Sequence, residues 1–304
     1  MKLTRLPRFK RASAIPQIQL TQRDLTIIRL IHRHRFLRSS HISALIGGSE
    51  RQILRRLQLL FHHGYLERPR AQLEYFHKGG SRPMAYGLGN KGAALLREEF
   101  GITFRHLRWS EKNRSVGRMF LEHALLVSDI MVSIELACRS RGIRLLTEHD
   151  LSSHSNRKSP SFRWRVNMDS QVKLGIIPDR VFAVEYSVHS GKTERAYFFL
   201  EADRGTMPVT RRTLSQTSFH RKLLAYEATW SQSIHQTRFG FHRFRVLTVT
   251  KSVARLESLV EACATLERGR GLFLFSERSA FNHKGDIFSV LWRTGTGDTV
   301  RLLD

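Results

Sequence analysis

Two short stretches carry carboxylates at a spacing that could do chemistry. Pro178-Asp179 heads one strand-like run, and Glu201-Ala202-Asp203 closes the next, 22 residues later. Neighbouring strands of this kind can bring three carboxylates close enough to share a divalent ion, and hard oxygen ligands suit Mg²⁺ or Mn²⁺. Asp179, Glu201 and Asp203 are therefore the candidate metal ligands. A cation to work beside them comes from the helical stretch that follows, where Lys222 and Tyr226 stand four apart on Phe219-His220-Arg221-Lys222-Leu223-Leu224-Ala225-Tyr226. The candidate catalytic set is Asp179, Glu201, Asp203 and Lys222. Arg204 is a second source of positive charge, and Glu122 could reach the same edge from an earlier helix. The plainer reading is that Asp179 is a turn acid, Glu201 and Asp203 pair with surplus arginines, and Glu122 pairs with Arg118.

A second group of residues is suited to phosphates and base edges. At 100° per residue, Arg51, Arg55, Gln58 and His62 line one face of a helix whose opposite stripe is Ile53, Leu57, Leu60 and Phe61. That helix opens at Ser49, an N-cap with Gln52 three residues on, directly after the Gly47-Gly48 turn. Before it lie a helix capped by Thr21 and Asp24 and running to about His34, and a short one carrying Ile42, Leu45 and Ile46. After it, Gly64 ends the helix, Tyr65-Leu66-Glu67 begins a strand, and two further strands at 73–76 and 84–88 flank the turn Lys78-Gly79-Gly80-Ser81-Arg82-Pro83. A fourth helix opens at Asn90-Lys91-Gly92.

From about Ser115 the pattern changes. Val116, Phe120, His123, Val127, Ile130, Ile134 and Ala137 recur at spacings of three and four, which predicts one long helix. Strand-like runs follow at 143–146, 176–186, 196–200, 245–249 and 272–275, with helical patterns at 213–230 and 253–266. This order predicts an α/β layer around a mixed central sheet. Residues 152–170, rich in Ser, Arg and Asn, read as a mobile loop. The organisation expected is a basic flexible arm at 1–20, a domain at 21–110 and a second domain at 111–304, an α+β chain overall.

Charge narrows the partner. Fifty-one Lys and Arg against 26 Asp and Glu give a formal +25, a surplus that a polyanion would neutralise. Residues 1–110 hold 21 basic and 6 acidic side chains, so the first third carries more than half of the excess. Apolar runs are far too short for a membrane span, and no apolar signal core follows the basic residues 1–10, so no membrane partner and a cytoplasmic location are expected. The two cysteines, Cys138 and Cys263, lie in helical patterns and have no zinc-site spacing. No glycine-rich phosphate loop and no Gly-x-Ser-x-Gly elbow occur. The oligomeric state leaves no mark on the sequence.

Three helices, a hairpin and a closing helix resemble a winged helix-turn-helix. The resemblance rests on the Gly47-Gly48 turn, the Arg-rich third helix, His63-Gly64-Tyr65-Leu66 and Tyr86-Gly87-Leu88-Gly89-Asn90-Lys91-Gly92. It implies that Arg51, Arg55, Gln58 and His62 enter the major groove of duplex DNA, with Lys78 and Arg82 on the wing against phosphates. The second domain resembles the PD-(D/E)XK nuclease fold. There the Asp and Glu hold the metal, and a Lys two residues after the Glu positions the attacking water or stabilises the transition state. Asp203 occupies that position here, so the motif departs from the pattern, and Lys222 with Tyr226 is similar to the place where some members put a Gln and a Tyr.

Together these motifs, in this order, resemble the replication-relaxation family of mobile-element proteins over roughly residues 20 to 250. The resemblance implies a sequence-specific double-stranded DNA-binding protein acting in plasmid or element replication, mobilisation or their transcriptional control. Its partners would be duplex DNA and other replication or transfer proteins of the element, and its nuclease-like domain would be degenerate. The alternative is an Mg²⁺-dependent endonuclease or nickase targeted by its winged helix.

Overall fold

A computed structural model of the chain describes residues 8–73, 83–104, 108–153, 162–168, 172–187, 191–281 and 286–303. The chain divides into two units, Met1–Val132 and Ser133–Asp304. The first opens with helix α1 (Gln22–His34), whose start is fixed locally. Thr21 accepts from the Asp24 amide while the Asp24 carboxylate accepts from the Thr21 amide at 2.8 Å, a reciprocal cap. Its buried stripe is Ile27, Ile28, Leu30 and Ile31. Strand β1 (Phe36–Arg38) follows, then α2 (Ser39–Ile46), then a turn in which Gly47 and Gly48 take φ of +74° and +82°. Side chains with a Cβ rarely adopt that conformation, so the glycine pair sets the sharp entry into α3 (Glu50–His62). Ile53, Leu57, Leu60 and Phe61 on α3 are all fully buried, as their spacing requires.

After α3 come β2 (Leu66–Glu67), β3 (Ala85–Leu88) and α4 (Asn90–Phe100). The three strands form an antiparallel sheet in the order β1-β3-β2. β1 was not evident in the sequence, and Leu73 lies outside any strand; the rest of the strand expected at 73–76 falls outside the described residues. Helix α4 begins close against the α3–β2 turn, where Gly89 N donates to Tyr65 O at 2.8 Å. A Cβ on Gly92 would stand 2.3 Å from that same oxygen, so glycine is required there. Short α5 (Trp109–Arg114) is bound to this layer, with Asn113 donating to Leu88 O and Ser110 paired with Asn90. Leu121 and Leu125, on the long helix α6 (Arg118–Ser140), pack on Phe36. Residues 111–132 fall in the first unit, and the boundary between units falls inside α6.

The second unit is organised by a seven-stranded mixed sheet. Its strands are β4 (Arg144–Thr147), β7 (Arg180–Ser187), β8 (Thr193–Ala202), β9 (Arg245–Thr250), β10 (Phe273–Glu277), β11 (Trp292–Thr294) and β12 (Thr299–Val300), and α7 (Glu148–Ser153) follows β4. The order is β12-β11-β10-β9-β8-β7-β4, with β8, β9 and β10 parallel and the other pairings antiparallel. Crossing from β8 to β9 and from β9 to β10 in parallel needs a connection over the sheet. These are supplied by α8 (Phe219–Ser231) with the short α9 (Ile234–Thr237), and by α10 (Val253–Ala264). Val181, Phe199, Val246, Phe273 and Phe275 meet Leu223, Tyr226, Leu259 and Cys263 in one core.

Part of the stretch expected to be a loop is instead regular. Residues Trp164–Asn167 form β5 and pair antiparallel with β6 (Lys173–Ile176), making a separate two-stranded ribbon. The alternation that defines it is short: Trp164, Val166, Leu174 and Ile176 are buried, and the residues between them face outward. Two apolar residues per strand gave too weak a signal among the surrounding Ser, Arg and Asn.

Candidate functional site

On α3, Arg51 and Arg55 are exposed and Gln58 is half-buried. Neither arginine forms an ion pair with any described residue, whereas Arg56, one position on, is drawn to the buried Asp24. The helix thus has two exposed guanidinium groups one turn apart near its N-terminal end, with no ion pair among the described residues. His62 does not join them: it is 3% exposed. The reason lies in residues outside the helix. The chain before α1 crosses the C-terminal turn of α3, where Ala12 N donates to His62 Nδ1 at 3.2 Å and Arg11 donates to Phe61 O. Arg11 also reaches the buried Glu67 at 2.8 Å, and Arg56 donates to Gln19 O. From Arg8 onward, the segment expected to be a flexible arm is therefore anchored. Burial, with Arg68 and Arg11 nearby, pulls the His62 pKa down, which keeps the ring neutral and able to accept. Lys78 and Arg82 lie outside the described residues.

In the second unit, strand alternation points Glu201 to the same face of β8 as Phe199, toward α8. Ser218 caps α8 by accepting from the Arg221 amide, which sets Lys222 and Tyr226 one turn apart over that face. Lys222 Nζ lies 2.5 Å from Glu201 Oε2, and the Tyr226 hydroxyl donates to Oε1 at 2.7 Å. Glu201 is 2% exposed. Burial pushes its carboxyl above the usual carboxylate range despite the Lys222 ammonium, and the neighbouring Asp179 carboxylate adds to the rise. Burial works against the Lys222 ammonium too, but Glu201 and Asp179 outweigh it and hold that pKa above the ordinary lysine value. The Tyr226 phenol is driven well up by burial beside Glu201, so it remains a donor.

Asp179 closes the β7–β8 ladder. Its amide donates to Leu200 O at 3.0 Å and its Oδ2 accepts from Ala202 N at 2.8 Å. Asp203 faces elsewhere, with Oδ2 accepting from Arg255 Nε at 2.8 Å and from Thr250 Oγ1 at 2.9 Å. The structure thus brings Asp179, Glu201 and Lys222 into mutual electrostatic range and commits Asp203 to Arg255. Among the described residues no group of three or more His, Cys, Asp or Glu side chains is gathered as metal ligands. Both Glu201 oxygens are engaged and Asp203 is held by a guanidinium, so an Mg²⁺ or Mn²⁺ shared by these carboxylates would have to displace Lys222, Tyr226 and Arg255. Glu122 lies in the first unit and pairs with Arg118 at 2.8 Å.

Comparison with known proteins bears on both units. The family model described as replication-relaxation matches residues 28–243, more than half of the chain. The chain belongs to the replication-relaxation family. No curated protein and no solved structure matched it. In this replication-relaxation protein the matched stretch contains α3, the Asp179–Glu201–Lys222 cluster and the β5–β6 ribbon. No helix among the described residues is long and apolar enough to cross a membrane. The partners that the sequence left unseen are Arg255 and Thr250, since nothing local to Asp203 signals a contact 52 residues away.

Proposed function

We propose that the chain is a sequence-specific duplex-DNA-binding protein of a mobile genetic element, acting in the cytoplasm in the element's replication, mobilisation or their control. In this reading the first unit is a winged helix-turn-helix and the second a PD-(D/E)XK-like domain that does not cleave. The observation that carries it is the pair Arg51 and Arg55, exposed on α3 without ion-pair partners among the described residues, in a chain of net charge +25. The element order helix, strand, helix, helix, strand, strand and the β1-β3-β2 sheet support the winged-helix reading, in which α3 is the recognition helix. Family membership supports the role in replication.

The test starts from a duplex site selected by the full-length protein from a random pool. Arg51→Ala and Arg55→Ala should each weaken binding by roughly 1–3 kcal/mol, about 5- to 150-fold, and relax discrimination at one base pair. Wild-type affinity should fall steeply with salt. Flat salt dependence, or wild-type binding by both variants, would overturn the reading. A second reading, a divalent-ion-dependent nickase, is favoured by the convergence of Asp179, Glu201 and Lys222. The non-cleaving reading expects a supercoiled plasmid to stay intact with Mg²⁺ or Mn²⁺. Nicking that disappears in Asp179→Ala and Glu201→Ala would establish the nickase instead.

A further inference from the structure

The exposed residues of α3 are confined to its N-terminal half. Glu50, Arg51, Gln52, Leu54 and Arg55 are exposed, and no residue of the helix from Arg56 onward is. The chain before α1 closes off the other half: Arg56 donates to Gln19 O at 3.0 Å, Ala12 N donates to His62 Nδ1 at 3.2 Å, and Nε2 of His63, at the end of the helix, lies 2.9 Å from Pro16 O. A duplex that meets α3 therefore meets its first turns, the part of a recognition helix that contacts base edges.

Of those five residues only Leu54 is apolar, and it is 41% exposed. A single exposed leucine is ordinary on a protein surface. Leu54 is set apart by its place. It follows Arg51 by three residues and precedes Arg55 by one, and at 100° per residue the three fall within about 100° of arc. Ile53 and Leu57 are fully buried and fix the rotation of the helix, so Leu54 cannot turn inward without exposing them. In the major groove an arginine pairs bidentately with guanine O6 and N7, whereas an aliphatic side chain finds its partner in the C5 methyl group of thymine. Side chains three or four residues apart on one helix face stand about 5–6 Å apart, which is about one to two base steps at a rise of roughly 3.4 Å.

We infer that Leu54 is a specificity-determining residue, reading the C5 methyl group of a thymine that lies within about two base pairs of the bases contacted by Arg51 and Arg55. This rests on the proposal that α3 is the recognition helix for duplex DNA, and it adds a base identity that neither arginine supplies. Taking the methyl group from that thymine leaves every hydrogen-bonding atom of the base pair in place, so any loss is confined to the apolar contact.

The experiment measures fluorescence anisotropy of the full-length chain on a labelled duplex site that it selects from a random pool, with each thymine in turn replaced by deoxyuridine. Arg51→Ala and Arg55→Ala mark their own bases by the base pair at which each relaxes discrimination. At one thymine near those bases, deoxyuridine should weaken wild-type binding about 4-fold, the equivalent of withdrawing one methyl-sized group from an apolar contact. Leu54→Ala should bind the thymine and deoxyuridine duplexes equally, and Leu54→Met should keep the difference. Leu54→Gln, which suits an exposed helix position, should lose the difference as Leu54→Ala does, and thermal unfolding checks that each variant is folded. A leucine with a structural role alone would leave the thymine-to-deoxyuridine ratio unmoved. A selected site without a thymine near those bases, wild-type binding indifferent to deoxyuridine there, or a difference that persists in Leu54→Ala and Leu54→Gln would overturn the methyl contact and leave the α3 proposal standing. A wild-type protein that does not bind duplex DNA would overturn both.

Discussion

Replacing Lys222 with methionine tests whether the buried Glu201 depends on the ammonium from α8. Lys222→Met keeps much of the side-chain volume but leaves Glu201, 2% exposed, with the hydrogen bond from the Tyr226 hydroxyl. Removing one partner of a fully buried ion pair costs about 3–5 kcal/mol. The Lys222 side chain is 36% exposed, so water already screens part of that interaction, and the expected loss is about 2–3 kcal/mol. At roughly 2 kcal/mol per molar urea, the unfolding midpoint should fall by about 1 M. The loss must also depend on pH. Burial raises the Glu201 pKa in the folded protein, and more so without Lys222. A raised folded pKa means that stability is complete below the unfolded carboxyl value of about 4.3 and declines as pH rises through the folded value, by at most about 1.4 kcal/mol per unit. Urea unfolding by tryptophan fluorescence should show a smaller deficit at pH 5 than at pH 8. Glu201→Gln in the Lys222→Met background should restore much of the loss. A deficit below about 0.5 kcal/mol, or one equal at both pH values, would refute the argument.

Two further outcomes concern the first unit. Gly92→Ala places a Cβ 2.3 Å from Tyr65 O, a backbone atom that cannot swing away, and should destabilise by about 1–3 kcal/mol in thermal unfolding, whereas Gly101→Asn, at a left-handed C-cap with open space around it, should cost far less. For Asp24, burial pushes the carboxyl up, but hydrogen bonds from Arg56 and Thr21 bring it below its ordinary 3.8; the stability it adds is complete above that value and is lost as pH falls through the depressed one, so Asp24→Asn should lower stability at pH 7 and flatten the acid limb of an unfolding profile.

What could be read in the sequence was whatever local chemistry decides. The caps at Thr21 and Ser49, the Gly47-Gly48 turn and the stripe Ile53, Leu57, Leu60 and Phe61 each depend on neighbours within a few residues, and all are present. Lys222 over Glu201 was also accessible, because strand alternation and helical spacing each fix a face. His62 was not. A helical wheel tells which side of its own helix a residue occupies, and it cannot tell that Ala12 and Arg11, 50 residues earlier, return to cover that side. Strand β11, carried by the fully buried Trp292, gave no periodic signal in three residues.

The absence of a lysine at position 203 takes on a different meaning once the ion pairs are assigned. In the nuclease pattern one strand carries the acid and the base two residues apart, so Asp203 looks like the loss of a positive charge. Here the strand carries two carboxylates, and each is neutralised from a helix: Glu201 by Lys222 on α8 and Asp203 by Arg255 on α10. The positive charge beside these carboxylates comes from the covering helices and not from the strand. The consequence is electrostatic. Two unpaired carboxylates at this end of the sheet would repel a phosphate backbone, while the Glu201–Lys222 and Asp203–Arg255 pairs are each neutral. If the chain binds duplex DNA as proposed, separating Glu201 from Lys222 would turn this cluster into a source of repulsion. Lys222→Met should for that reason weaken the proposed duplex binding modestly even where the domain stays folded, and unchanged affinity in the folded variant, measured by fluorescence anisotropy on a labelled duplex, would separate this cluster from the proposed DNA-binding surface.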